Sequence, residues 1–305
     1  MGFEGMEAMA AAGPAADDAR YLALEMADDP GMALARLIGL PDEAIARLGD
    51  ADLGRVNGLA SLMDGLAVPA TAKAAWATLK QAVDPDPDGW RMLRAMLAAA
   101  ATRTAAGYRR DGIGWNVFLA TMGAFARFTG ESVPRHGRLL FDRDFWTWRQ
   151  LAGTLVRLGS LEYEHATVAI GGVPSETGLG EAINVHIPSD ASLAAVDMDA
   201  SLAAWDAFAA RYRPQWRGLP LVCESWLLSP VLPELLTEDS HILAFQRRFD
   251  LIADRPDAPD WREWIFDTNP APVTDLPERT GLQCAAKRHL LAGGMIGVGI
   301  GVLRR

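Results

Sequence analysis

Between Ala182 and Ile252 the chain alternates short β-type runs with helical ones, and this alternation limits the possible folds more than any other feature. Ile183, Val185 and Ile187 alternate with Asn184 and His186, the period-two pattern of a strand with one buried face. A helix follows with Leu202, Trp205, Phe208, Ala209 and Tyr212 on one side, and Asp197 or Asp199 is placed to cap it. Leu221 to Leu228 is almost continuously apolar, broken by Glu224 and Ser225, as in a strand covered on both faces. Pro230 suits the first turn of a short helix ending near Leu236, and His241 to Ile252 reads as a further strand. Strand, helix, strand, helix, strand is a layered α/β unit, and such units place their sites at the carboxyl ends of strands.

The same stretch carries a resemblance. INVHIP, CESWLLSPVLPELL, SHILAFQRRF and the closing TGLQCAAKRHLLAGGMIGVGIGVL resemble a bacterial family of acyltransferase domain-containing proteins. Those proteins join an acyltransferase-associated N-terminal region to a C-terminal domain similar to the GNAT N-acetyltransferase fold. The resemblance covers most of the chain and is sharper after Trp146. It implies an acyl-CoA donor, acetyl-CoA or another, and an amine acceptor, either a small molecule or a peptide.

Composition narrows the class. The formal net charge is −10, from 29 basic and 39 acidic residues, which is the wrong sign for a dedicated nucleic-acid binder. Two cysteines, Cys223 and Cys284, both in apolar surroundings, make no disulfide framework and are expected to be reduced. The N-terminal segment lacks a basic stretch followed by an apolar core, and Leu290 to Leu303 is too short and glycine-rich for a membrane span. The expectation is a cytoplasmic protein without a membrane partner.

The first 130 or so residues read as mostly helical after a mobile tail of about 18 residues. Helices are predicted within Ala19–Leu48, over Ala70–Val83, Trp90–Gly107 and Gly112–Phe128, with DPDPDG at 84–89 as a breaker. Phe141 to Leu158 reads as one tryptophan-bearing helix ended by Gly159. LEYEHATVAI follows as a strand, and residues 161–187 as a hairpin. Strands are thus expected at 161–168, 182–188, 221–228, 241–252 and 295–303 in one sheet, with a last helix over Thr280–Ala292. The fold class is α/β: a helical N-terminal region, residues 1–145, then a GNAT-like mixed sheet flanked by helices, residues 146–305.

His186 is the sharpest catalytic candidate, an imidazole at a strand's carboxyl end able to take a proton from an ammonium substrate. The plainer role is a structural histidine bonded to backbone. Glu224 is a second candidate base beside Ser225, because a carboxylate within an apolar strand needs an ion-pair partner or a wet cleft. Glu162 and Glu164 alternate on the preceding hairpin and can share the cleft. Cys223 has no surrounding nucleophile signature. The five histidines, at 136, 165, 186, 241 and 289, lack metal spacing, so no metal site is expected.

A GNAT reaction needs strands that splay around a thioester and amides at a helix start that hold the pyrophosphate. By the resemblance the second task falls to the loop from Ser189 to Asp197, with Ser189, Asp190, Ala191 and Ser192 as cofactor contacts; its sequence, SDASLAAVD, has no glycine and two acids. The terminal GGMIGVGIGVL follows a helix and ends the chain, unlike a dinucleotide fingerprint. Alternating Gly297, Gly299 and Gly301 suit a strand with a bare face on which something packs closely. The leading function is acyl transfer from CoA to an amine. Its rivals are a catalytically degenerate GNAT fold that binds a ligand or peptide, and a purely structural partner-binding module.

Overall fold

The computed structural model describes residues 13–54, 56–167, 180–267 and 271–304. The predicted hairpin loop and residue 168 therefore lie outside the described residues, as does most of the predicted tail. The chain divides into two compact units between Arg157 and Leu158.

The first unit is helical: α1 (Pro14–Glu25), α2 (Pro30–Leu37), α3 (Asp42–Asp50), α4 (Leu59–Leu66), α5 (Ala72–Ala82), α6 (Trp90–Ala99), α7 (Ala105–Arg110), α8 (Trp115–Met122), α9 (Ala124–His136) and α10 (Asp144–Leu151). Proline begins α1 and α2, where its missing N–H removes no helical bond. Asp29 caps α2 by accepting from the Met32 amide at 3.0 Å. Alanine-rich α6 and α7 join through a π-helical segment, Ala100–Thr104. Tyr21 and Tyr108 pack edge-on to Phe118, and Tyr21 does the same to Trp115, inside the core of this unit.

The chain continues into a mixed sheet of β1 (Leu155–Leu158), β2 (Leu161–Thr167), β3 (Glu181–His186), β4 (Leu221–Ser225), β5 (Phe249–Arg255) and β6 (Val298–Leu303), of which β2 to β6 lie in the second unit. The order is β1-β2-β3-β4-β6-β5, and the division between the units falls on β1. Its helices are α11 (Ala195–Tyr212), α12 (Leu232–Leu235), α13 (His241–Gln246), α14 (Trp261–Phe266) and α15 (Gly281–Leu291). The hairpin of β2 and β3 is antiparallel, as are the β4–β6 and β5–β6 pairs, whereas β3 and β4 are parallel and α11 connects them. On one face of the sheet α11 packs by stacking Trp205 on Tyr163, rings 4.9 Å apart and 17° from parallel. Ser201 locks α11 in place: its hydroxyl is 3.0 Å from the Tyr163 hydroxyl and donates to the Leu158 carbonyl.

Four expectations need correction. Residues 241–246 are helical rather than extended, because Ser240 caps them by accepting from the Ile242 amide at 3.2 Å; the strand starts only at Phe249. Leu243 and Gln246, three apart, are both buried on the inner side of that turn. Residues 226–228 leave the sheet as a 3₁₀ turn, since Ser225 accepts from the Leu227 amide. The tryptophan helix stops at Leu151, Gly153 takes the left-handed region at φ 67°, and Leu155–Leu158 is β1. Neither Asp197 nor Asp199 caps α11, whose cap is Ala194; Asp197 lies in the first turn and Asp199 pairs with Arg248.

Gly299 and Gly301 behave as their spacing predicts, whereas Gly297 precedes β6 and takes the left-handed region at φ 67°. A Cβ on Gly299 would lie 2.0 Å from the Leu228 carbonyl oxygen, and one on Gly301 2.9 Å from the Phe249 Cβ. The 3₁₀ turn after β4 therefore rests directly on the bare face of β6.

Candidate functional site

The hairpin register decides which polar residues meet. Glu162 pairs with His186 and Glu164 with Asn184, so all four project from the sheet face opposite α11. Parallel pairing of Asn184 with Val222 adds Val222 and Glu224 to that face. The His186 imidazole is held by Glu164, Nε2 to Oε2 at 2.8 Å, with both side chains 15% exposed. As the carboxylate can only accept, Nε2 donates in this bond. Glu162 is buried beside them.

The three expected catalytic residues separate. His186 and Glu224 share a face, and Glu224 is ion-paired with Arg255, which reaches it from β5 across β6. The guanidinium engages the carboxylate as its ion-pair partner, one of the two settings a carboxylate in an apolar strand needs. Ser225 points to the opposite face with Cys223, and its oxygen serves the Leu227 amide. Burial pushes the Cys223 thiol far above its ordinary range, which suits packing rather than nucleophilic attack. Cys284 departs from its expected apolar setting: it is only part-buried, with Sγ 3.6 Å from the Glu278 carbonyl oxygen.

Between β3 and β4 the backbone ladder ends early. Their parallel ladder covers only Ile183 with Leu221 and Asn184 with Val222. Past these rungs β3 remains paired to β2 through His186, and β4 to β6 through Ser225, but not to each other. His186 and Glu224 thus stand on the two lips of a split at the carboxyl ends of parallel strands, the place where such sheets take their ligands.

The loop expected to hold a cofactor runs from this split to α11. The Ala191 amide donates to the Pro188 carbonyl, the Ser192 hydroxyl donates to Asp197 at 2.5 Å, and the Ala194 amide donates to Ser192. Ser189 and Asp190 form the exposed turn before them. The groups of Ala191 and Ser192 are therefore engaged within the loop, and the first turn of α11 begins directly after it.

Sequence reasoning passed over Asn184 and Arg255. Asn184 could have been found, as it lies on the same side of the INVHIP alternation as His186. Arg255 is far from that motif in the chain, and only the β4–β6–β5 order brings it to Glu224. Among the described residues no three histidine, cysteine, aspartate or glutamate side chains gather in a metal-binding group, and no helix is long and apolar enough to cross a membrane.

Comparison with known proteins agrees with this architecture. No curated protein matches the chain by sequence. Among solved structures, an acyltransferase in complex with decanoyl-CoA and teicoplanin superposes with a TM-score of 0.71 at 22% identity, over 93% of each chain. An acyltransferase mutant in complex with octanoyl-CoA gives the same score and identity, over 94% of this chain and 93% of its own. A third, an acyltransferase in complex with decanoyl-CoA, has a TM-score of 0.64 at 23% identity, over 90% of this chain and 98% of the other. These likenesses establish a shared fold. Residues 31–153 match the N-acyltransferase N-terminal domain, and residues 155–303 match the GNAT-like C-terminal domain. With both domains present in this order along most of its length, the chain belongs to the family that joins an N-acyltransferase N-terminal domain to a GNAT-like C-terminal domain.

Proposed function

We propose that this protein is an acyl-CoA-dependent N-acyltransferase that moves an acyl group onto an amine. The observation that carries the reading is the split between β3 and β4, with a carboxylate-anchored histidine on one lip, in a GNAT-like domain. The solved structures of the same fold were obtained with decanoyl-CoA and octanoyl-CoA, which makes medium-chain thioesters the first donors to test.

In this reading the amine nitrogen attacks the thioester carbonyl, a C–N bond forms, the C–S bond breaks, and CoA leaves as thiolate. The amine must lose a proton to attack and the thiolate must gain one. His186 is the base, since its charge after protonation is balanced by the Glu164 carboxylate 2.8 Å away. Glu224 is the weaker candidate, being neutralised by Arg255. Ser225 is assigned the shaping of the lip, through its bond to the Leu227 amide, rather than a proton transfer. The loop of Ser189, Asp190, Ala191 and Ser192 borders the CoA phosphates, while the first-turn amides of α11 make the contact.

One observation favours the rival, a GNAT fold that binds without chemistry: Ser192 is tied to Asp197, and acidic side chains flank the helix start. Calorimetric titration with decanoyl-CoA, followed by a thiol-release assay against a panel of primary amines, separates the two. Binding with amine-dependent CoA release supports the enzyme. Binding without release against any amine hands the fold to the rival, and no binding at millimolar decanoyl-CoA removes the donor.

A further inference from the structure

Asn184 occupies the last rung on which β3 and β4 are paired, between Glu164 of β2 and Val222 of β4, two residues before His186 on the same face. Its Oδ1 is buried and accepts no hydrogen bond from any of the described residues. A buried amide oxygen without a donor is destabilising, and asparagine is itself a poor strand former. On one side of Asn184 this face is packed and apolar, with Ala182 and Val222 buried against Ile300, and on the other it carries Glu164 and His186. Packing therefore leaves the amide unexplained.

What the position lacks is a donor, and the proposed reaction brings one. A primary ammonium has three N–H groups, so it can reach Oδ1 of Asn184 while facing the carboxylate of Glu164 on the adjoining strand. We infer that Asn184 is the specificity-determining residue for the acceptor: its Oδ1 receives an N–H of the substrate ammonium and places that nitrogen two residues along β3 from His186, on the same face. An alcohol of the same shape has a single O–H and cannot satisfy both groups. The inference rests on the acyl-transfer reading for its substrate class, but its binding step can be measured without any acyl donor.

The test uses uniformly ¹⁵N-labelled full-length protein titrated with n-propylammonium chloride, and with 1-propanol at matched ionic strength, while decanoyl-CoA binding is measured separately by calorimetry. Saturable shifts of the Asn184 side-chain amide with propylammonium, and none with propanol, are expected. Asn184→Val should weaken propylammonium binding about tenfold or more and leave decanoyl-CoA affinity within about twofold, without lowering the thermal midpoint. Asn184→Asp keeps the acceptor and should bind propylammonium at least as tightly as the wild type; it carries the test if the valine variant does not fold. The inference is overturned if the wild type does not bind propylammonium, if Asn184→Val binds it unchanged, or if Asn184→Asp loses it. A loss confined to decanoyl-CoA also overturns it, by assigning the N–H to the pantetheine arm. Asn184-dependent propylammonium binding in a protein that ignores decanoyl-CoA would sustain the inference and remove the acyl-CoA reading instead.

Discussion

Gly299→Ala tests whether the 3₁₀ turn after β4 really sits on the bare face of β6. The added Cβ would lie 2.0 Å from the Leu228 carbonyl oxygen, 2.5 Å from its carbon and 3.0 Å from its Cβ. Ordinary contacts of this kind are about 3.5 Å, so the turn or the strand must retreat by roughly 1.5 Å. Neither yields easily. β6 is paired on both sides, to β4 and β5, and the turn is anchored by Ser225 at one end and by the Ser229 hydroxyl bond to the Ile296 carbonyl at the other. Overpacking costs about 1–3 kcal/mol, and obstruction by backbone puts this case near about 3 kcal/mol. For a unit of this size each kcal/mol shifts the midpoint by about 2–4 °C, so the expected fall is about 6–12 °C by thermal circular dichroism. Gly281→Ala is the control within the same unit: it starts α15, nothing lies within 4 Å of its added Cβ, and it should stabilise by about 0.4–1 kcal/mol. A Gly299→Ala protein that melts with the wild type would refute the close approach, and with it the account of why glycines alternate there.

The remaining predictions concern the site and the titrating groups. His186→Ala should lower turnover per folded molecule by about 10²- to 10⁴-fold with decanoyl-CoA affinity nearly intact; unchanged activity per folded molecule ends the assignment of a base. In an Ellman titration of native protein Cys284 should react first, whereas Cys223, buried and with its thiol pushed far up by desolvation, should appear only on unfolding; two equally fast thiols would contradict that burial. Asp29 is held below its ordinary value chiefly by the side-chain bond from Arg94, against a desolvation that works the other way, with the Met32 amide assisting. A depressed carboxylate contributes stability above its unfolded value, about pH 4, and loses it as pH falls through the folded value. The urea midpoints of wild type and Asp29→Asn should therefore differ at pH 6, begin to approach below about pH 4 and converge once pH has fallen through the depressed folded value, and a pH-independent gap would count against the ion pair as its source.

Much of the second unit was legible in its residues because side-chain periodicity is a local property. The alternation in INVHIP places His186 and Asn184 on one face whatever the rest of the chain does, and the spaced glycines of GGMIGVGIGVL announce a bare strand face wherever that strand ends up. Local chemistry could also have separated helix from strand at SHILAFQ, where Ser240 caps the turn and Leu243 and Gln246 fall on its inner side, but a short apolar run permits both patterns. Partners are another matter. Period two specifies a face and says nothing of register, so only the assembled hairpin shows that His186 is bonded to Glu164 while paired in register with Glu162. The Glu224–Arg255 pair exists because β6, last in the chain, inserts between β4 and β5. The split between β3 and β4 after two rungs is equally a product of the whole sheet, since the backbones of Val185 and Cys223 carry no mark of whether the strands beside them converge or part. Composition and spacing determined the α/β class and the polar residues at the strand ends. Long-range pairing decided which of those residues meet, because hydrogen bonds and charges find partners in space rather than along the chain.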